Sequence, residues 1–282
     1  MIKYVAVADA FLNQYIGGAE MTTHALLQEK NDCVLKVNSH TLTEKIIDEN
    51  KDKVWLIFNF SNLDEKNMIK LAKTVNYSII EYDYKFCKHR SPELHKLREG
   101  RDCDCMEQGI FSKIRLLFYG YAKKIWFMSE NQKNIFLQNI GSIKKENVEV
   151  LSSVFSKGDL YFMNSISKNE KNSKYLILNS NSWIKGTEKC VQFAKSNNLD
   201  YELVGNLRYH ELLIKMSTSK GLIFRPLGGD TCPRIVIEAK LLGCDLILND
   251  NVQHKDEKWF ATKDSTKKYL EERVNTFWKW YE

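Results

Sequence analysis

Proline is scarce in this chain, with three among 282 residues. That excludes a Pro-rich linker. No apolar run reaches the ~18 residues that a membrane-spanning helix requires. The residues ahead of Asp9 are too few for a signal peptide, so the expected location is the cytoplasm. In that compartment the seven cysteines, an odd number, read as reduced thiols or metal ligands rather than disulfides. Basic residues outnumber acidic ones, 42 to 36, for a formal net charge of +6. They are scattered, however, with no run of five or six and no basic tail. The charge favours an anionic ligand and permits nucleic acid or a lipid surface, without selecting one. The first strand is not followed by G-x-G-x-x-G. Residues 9–20 hold only Gly17-Gly18, which excludes a nicotinamide-dependent oxidoreductase.

What is present is an ordinary folded composition, 43% hydrophobic and 28% charged. The length suits two compact domains. Short β-branched runs alternate with amphipathic stretches, which predicts βαβ units on parallel sheets. Strands are expected at 3–8, 33–38, 54–60, 77–82, 125–128 and 148–151. The stretch 64–74 carries Met68, Leu71 and Ala72 at helical spacing. The pattern restarts with strands at 175–178, 201–204, 222–224 and 245–248 and helices at 188–195, 210–216 and 234–242. The expected division is 1–153, 154–262 and a terminal helix over 263–282, its aromatics packed against a domain. The Ser/Asn/Lys-rich stretch 152–173 reads as a hinge and linker.

The most informative segment runs from Phe224 to Ala239 and reads as strand, glycine loop, helix. Gly228 and Gly229 allow close backbone approach. Pro233 suits the first helical turn, and Gly243 the helix end. Free N–H groups at such a helix start favour a phosphate. Asp230 sits where a sugar hydroxyl could be held, with Thr231 next to it and Arg234 four residues on. Glu238 lies on an otherwise apolar helix face and needs a partner or solvent.

This segment resembles the E-x7-E motif of retaining family 4 glycosyltransferases. Asp230 stands at the first acidic position, Pro233 at the Gly/Pro position, and Glu238-Ala239 at the end. The resemblance implies the GT-B fold: α/β, with two Rossmann-like domains whose parallel sheets face an interdomain cleft. It implies that Asp230 and its loop contact the donor sugar and that Glu238 holds the nucleotide ribose. Asp in place of Glu shortens the reach by one methylene. Upstream, Asn179 to Gly186 is similar to the family loop ending in Lys-Gly, whose lysine binds the donor diphosphate. Here that lysine is Lys185. The Arg that usually precedes it is missing, with Arg225 or Arg234 as substitutes.

Gly17-Gly18-Ala19-Glu20 is similar to the glycine loop after the family's first strand, which lines the cleft near donor phosphates and acceptor. Asp83 ends a strand, where α/β sheets carry ligand groups, and is a candidate for orienting an acceptor hydroxyl. The expected enzyme is a hexosyl- or pentosyltransferase using a nucleotide-diphosphate sugar, with retention and without a catalytic metal. Its acceptor is a saccharide, a lipid-linked sugar or a hydroxymethylated DNA base. The alternative is a non-catalytic nucleotide-sugar-binding module.

Residues 87–105 hold Cys87, His89, His95, Cys103 and Cys105 in what reads as one loop. Zinc takes four Cys or His ligands tetrahedrally, so Cys87, His95, Cys103 and Cys105 are candidate ligands of a structural zinc ion. C-x-C is not the usual knuckle spacing, and reduced thiols with solvated histidines are the plain alternative.

Overall fold

The computed structural model describes residues 1–107 and 109–282. The chain divides into two compact units, Met1–Val154 and Phe155–Glu282.

The first unit is built on a six-stranded sheet. Its strands are β1 Tyr4–Ala8, β2 Val34–Asn38, β3 Val54–Ile57, β4 Asn76–Glu81, β5 Lys124–Phe127 and β6 Val148–Val150. Their order is β2-β1-β3-β4-β5-β6, and every pairing is parallel. Central strands of a parallel sheet are covered on both faces, so they read as unbroken apolar runs. Tyr4 to Ala8 and Lys124 to Phe127 are accordingly buried at every position. The helices are α1 Gly18–Leu27, α2 Glu44–Glu49, α3 Glu65–Thr74, α4 Pro92–Glu99, α5 Gly109–Tyr121 and α6 Glu130–Asn139. Met68, Leu71 and Ala72 of α3 turn inward as their spacing requires. Asp64 caps that helix by accepting from the Asn67 N–H at 2.7 Å.

The second unit carries β7 Tyr175–Leu178, β8 Tyr201–Val204, β9 Gly221–Phe224 and β10 Asp245–Leu248. They form a parallel sheet in the order β10-β9-β7-β8. Its helices are α7 Lys157–Ile166, α8 Thr187–Ser196, α9 Tyr209–Ser217, α10 Arg234–Leu241 and α11 Lys263–Lys279. In α11, Thr266, Leu270, Val274, Phe277 and Trp278 are buried at helical spacing, which seats the terminal aromatics on the unit.

Three sequence expectations give way. Residues 157–166 are helical, not linker. Ser156 caps the helix by accepting from the Asp159 N–H at 3.0 Å, and Leu160 and Met163 bury one face. Gly158 and the flanking serines hide that face from a composition-based reading. Residues 87–105 are not one loop, because α4 interrupts them: Ser91 caps it and Pro92 opens it. The strand read as 54–60 ends at Ile57, although Phe58 and Phe60 are fully buried beyond it.

Each sheet has one place where chain order reverses. After β1 the chain moves to β2 on one side, then returns to β3 on the other. After β7 it moves to β8, then returns to β9. Loops leaving two such strands diverge, and in open α/β sheets ligands bind in the crevice this creates.

Candidate functional site

In the second unit the two motif loops leave the strands that flank the reversal. The loop after β7 ends in a short 3-10 turn, Trp183–Lys185, and Gly186 then takes a left-handed backbone, φ +61°, before α8. A Cβ at Gly186 would lie 2.6 Å from the carbonyl oxygen of Arg225. Glycine therefore meets two demands here, the backbone conformation and the contact with the loop after β9. The Leu227 N–H donates to the Ile184 carbonyl at 2.9 Å and ties the two loops together.

Across this seam Lys185 Nζ donates to Asp230 Oδ2 at 2.7 Å. The lysine side chain is 28% exposed and the aspartate 13%. Lys185 also stands 5.5 Å from the centre of the Phe224 ring. Asp230 is fixed by its backbone: its N–H donates to Asn251 O at 2.8 Å, and its carbonyl accepts from Gln253 N–H at 3.1 Å. Asn249 and Asn251 both donate to the Pro226 carbonyl, at 3.0 and 2.8 Å. Gly228, Gly229 and Thr231 are buried in this loop. Pro233 occupies the position just ahead of α10, without a side-chain cap bond, rather than sitting inside the first turn. Gly243 follows the helix at φ +73°, as expected of a helix stop.

Glu238 lies one turn into α10 and is almost fully buried. Its Oε1 accepts from the Tyr209 hydroxyl at 3.0 Å and faces Arg234 Nε at 3.5 Å. Burial pushes the Glu238 carboxyl above its ordinary range, opposed by Arg234 and the Tyr209 hydroxyl. The Arg234 guanidinium carbon lies over the Phe155 ring, 3.7 Å from its centre. Arg225 stacks on Phe193 at 4.3 Å and donates to the Leu248 carbonyl at 3.3 Å. The two arginines named as substitutes for the missing one thus already make protein contacts.

In the first unit the reversal lies between β1 and β3. Asp9, just past β1, accepts from Ser39 Oγ at 2.5 Å and from the N–H groups of Ser61 and Asn62 at 2.8 and 3.0 Å. Gly17 precedes α1 and Gly18 opens it, and Glu20 sits buried beside them. A Cβ at Gly17 would lie 2.5 Å from Glu20 Oε2, so the glycine is where that carboxylate rests. Burial raises the Glu20 carboxyl, with Arg90 and Lys85 opposing.

Asp83 does not stand alone. Lys85 Nζ bridges Asp83 Oδ1 at 3.0 Å and Glu81 Oε1 at 2.9 Å, and Arg90 Nε donates to Asp83 Oδ2 at 2.7 Å. Burial would raise the Asp83 carboxyl, but Lys85 and Arg90 outweigh it and hold it below its ordinary range. Glu81, fully buried, is raised by its burial and accepts from the Tyr119 hydroxyl at 2.5 Å. Arg90 also reaches Asn59 past β3, at 3.4 Å. Its backbone is left-handed, φ +58°, which is uncommon outside glycine. Nothing in the sequence around Arg90 signals that conformation. Tyr209 and Glu20 carry no role in the sequence reading, since one stands a residue ahead of the helix read as 210–216 and the other is visible only as the last letter of a glycine motif.

Cys87, His95, Cys103 and Cys105 converge, with their ligand atoms within 4.8 Å of one another. His89 stays outside and pairs with Glu99 at 2.9 Å.

No family model matches the sequence, and no curated protein does. Solved structures do match. The chain superposes on Anabaena Alr3699/HepE in complex with UDP and glucose at TM-score 0.58 and 10% identity, covering 98% of this chain and 96% of that one. An alpha-glucosyltransferase in complex with UDP and a 13-mer DNA containing an HMU base matches at 0.53 and 10%, covering 99% and 90%. AviGT4, a glycosyltransferase involved in avilamycin A biosynthesis, matches at 0.53 and 8%, covering 98% and 91%. The architecture of this chain, two α/β units each on a parallel sheet, is that of GT-B glycosyltransferase structures.

Proposed function

We propose that this chain is a glycosyltransferase that moves a sugar from a nucleoside-diphosphate sugar to a hydroxyl acceptor. The observation that carries this reading is the meeting of Lys185 and Asp230 at the crossover of β7 and β9. Two sequence-distant motif residues share the crevice where α/β sheets bind ligands.

The second unit takes the donor. A departing diphosphate gains negative charge, and a positioned ammonium with the N–H groups opening α10 stabilises it. Lys185 therefore exchanges Asp230 for phosphate when the donor binds. Asp230, released from the lysine, turns to a sugar hydroxyl. Glu238 takes the ribose role that the family resemblance implies, and retention of configuration rests on that same resemblance. The first unit takes the acceptor. Asp83, aligned by Lys85 and Arg90, orients the acceptor hydroxyl. Tyr15 and Ile16, both well exposed beside Gly17-Gly18, offer it an apolar contact. Uridine is the first base to test, because HepE and the alpha-glucosyltransferase were solved with UDP.

A thermal-shift series with UDP, GDP, ADP, CMP and NAD tests the donor site. A shift with one nucleoside diphosphate, lost in Lys185→Met, is the expected result. No shift with any diphosphate removes the donor assignment. Incubation with the labelled UDP-sugar and saccharide, lipid-linked or hydroxymethylated DNA acceptors then separates an enzyme from a binding module. The module reading draws on Arg225 and Arg234, whose protein contacts leave Lys185 as the motif's own cation.

A further inference from the structure

The crossover from β4 to α5 is unusually long for an α/β unit, where such connections run about 2–6 residues outside the helix. It carries α4; Tyr84, Phe86 and Cys87 bury its start in the core, but from residue 88 to 107 only Ser91 and His95 are buried. His95 alone is buried on α4, and Leu97 is 73% exposed. A segment with so small a core needs another source of order.

Four soft ligands lie inside it. Cys87 Sγ and Cys105 Sγ stand 3.6 and 3.5 Å from His95 Nδ1. With Zn–S near 2.3 Å and Zn–N near 2.0–2.1 Å, a tetrahedral site has S···N edges of roughly 3.5–3.6 Å. The two separations match those edges. All four ligand atoms, that of Cys103 included, lie within 4.8 Å of one another, and the seven cysteines are free thiols. Backbone N–H groups aim at two of the sulfurs: His89 at Cys87 Sγ, 3.4 Å, and Lys88 at Cys105 Sγ, 3.5 Å. Both sulfurs thus accept hydrogen bonds from the backbone, the kind of outer partner that orients metal ligands. His95 is fully buried, and its other ring nitrogen, Nε2, has no hydrogen-bond partner but faces Asp104 Oδ1 at 3.7 Å. Metal-bound histidines commonly direct the second nitrogen at a carboxylate.

We propose that Cys87, Cys103, Cys105 and Nδ1 of His95 hold one structural zinc ion, and that this ion sets the turn that presents Arg90 to Asp83. The Arg90 N–H donates to the Cys87 carbonyl at 2.9 Å, so fixing the sulfur fixes the start of the left-handed turn. The ion closes the crossover at three points: the turn after β4, the middle of α4, and the stretch before α5. Its role is separate from that proposed for Lys185 and Asp230, which belong to the second unit.

The test uses the full chain, purified without chelator from zinc-supplemented medium. Elemental analysis is expected to give about one zinc per chain, retained in Cys33→Ser and lost in the double variant Cys103→Ser/Cys105→Ser. Cobalt added to metal-stripped wild-type protein is expected to give thiolate charge-transfer bands and the intense visible bands of a tetrahedral site. That measurement needs no variant, so a misfolded mutant cannot decide the matter. On zinc removal, hydrogen exchange is expected to rise across residues 83–107, while the second unit stays protected. Wild-type protein with no zinc and no cobalt spectrum overturns the assignment. So does zinc that persists in the double variant, or exchange unchanged over 83–107.

Discussion

Gly186→Ala offers a quantitative test of how the second unit brings its motif loops together. Two separate costs are expected. An L-residue at φ +61° pays roughly 1–2 kcal/mol for the left-handed backbone. The new methyl would also stand 2.6 Å from the Arg225 oxygen. Carbon–oxygen contacts rarely fall below about 3.3 Å, so one loop must retreat by roughly 0.7 Å, at a cost of about 1–3 kcal/mol, as in other overpacked sites. Gly243→Ala provides the control. It shares the backbone term, at φ +73°, but a Cβ there meets nothing within 4 Å. Both glycines belong to the second unit, so one urea transition followed by tryptophan fluorescence reports both. Gly243→Ala is expected to cost about 1–2 kcal/mol and Gly186→Ala about 2–5 kcal/mol. The excess measures the contact between loops. Gly186→Ala is also expected to weaken UDP binding several-fold through displacement of Lys185, while Gly243→Ala leaves it unchanged. Equal losses from the two substitutions would refute the close-approach argument.

Further expectations concern single side chains. Lys185→Met removes a charge-assisted hydrogen bond worth about 1.5–3 kcal/mol; calorimetry with UDP should show affinity falling roughly 10- to 100-fold, and an unaltered affinity would remove Lys185 from the donor site. Lys85→Met strands the buried Glu81 and should destabilise the first unit by about 3–5 kcal/mol; the double variant Glu81→Gln/Lys85→Met should recover much of that loss in urea unfolding, and no recovery would contradict the pairing. His254 is buried against Trp259 and Phe260, and burial lowers its pKa to about 3. Its unfolded pKa is near 6.5, so between those values the unfolded chain binds a proton that the folded chain refuses. Stability should fall with pH from 6.5 down to about 3, by about 2.7 kcal/mol at pH 4.5. His254→Leu should abolish that component of the acid limb in a pH series of unfolding curves, and an identical acid limb in both proteins would disprove it. Tyr209→Phe leaves Glu238 with one partner fewer and should cost about 1–3 kcal/mol by the same unfolding assay.

The alternation of strands and helices was legible because parallel strands buried on both faces leave unbroken apolar runs, as in Tyr4 to Ala8. The strand at 175–178 and the helix stop at Gly243 were legible for similarly local reasons. What escaped was set by contacts between distant segments. The helix at 157–166 owes its order to Leu160 and Met163, two buried side chains in a stretch whose glycine and serines argue for a linker. The motif loops could each be named from sequence, yet the Lys185–Asp230 pair spans 45 positions and has no local signal. Arg90 was missed for the reverse reason, since its left-handed backbone depends on the turn around it. The Cys/His cluster stood out by the density of soft side chains within a short stretch, and four of them do converge; the helix that carries His95 did not.

The Lys185–Asp230 pair has a further consequence. A bare cationic cradle would draw any small anion; this lysine is already paired with Asp230. Asp230 acts as a tethered competitor that chloride or sulfate must displace without offering a sugar hydroxyl in return. Under the proposed function, a sugar-bearing diphosphate satisfies both halves of the separated pair. Selectivity over small anions then comes from exchange of partners rather than from charge alone. Because that exchange conserves local charge better than simple neutralisation does, UDP-sugar affinity should vary only weakly with sodium chloride, and isothermal titration across a salt series would expose a steep dependence if the cradle were merely cationic.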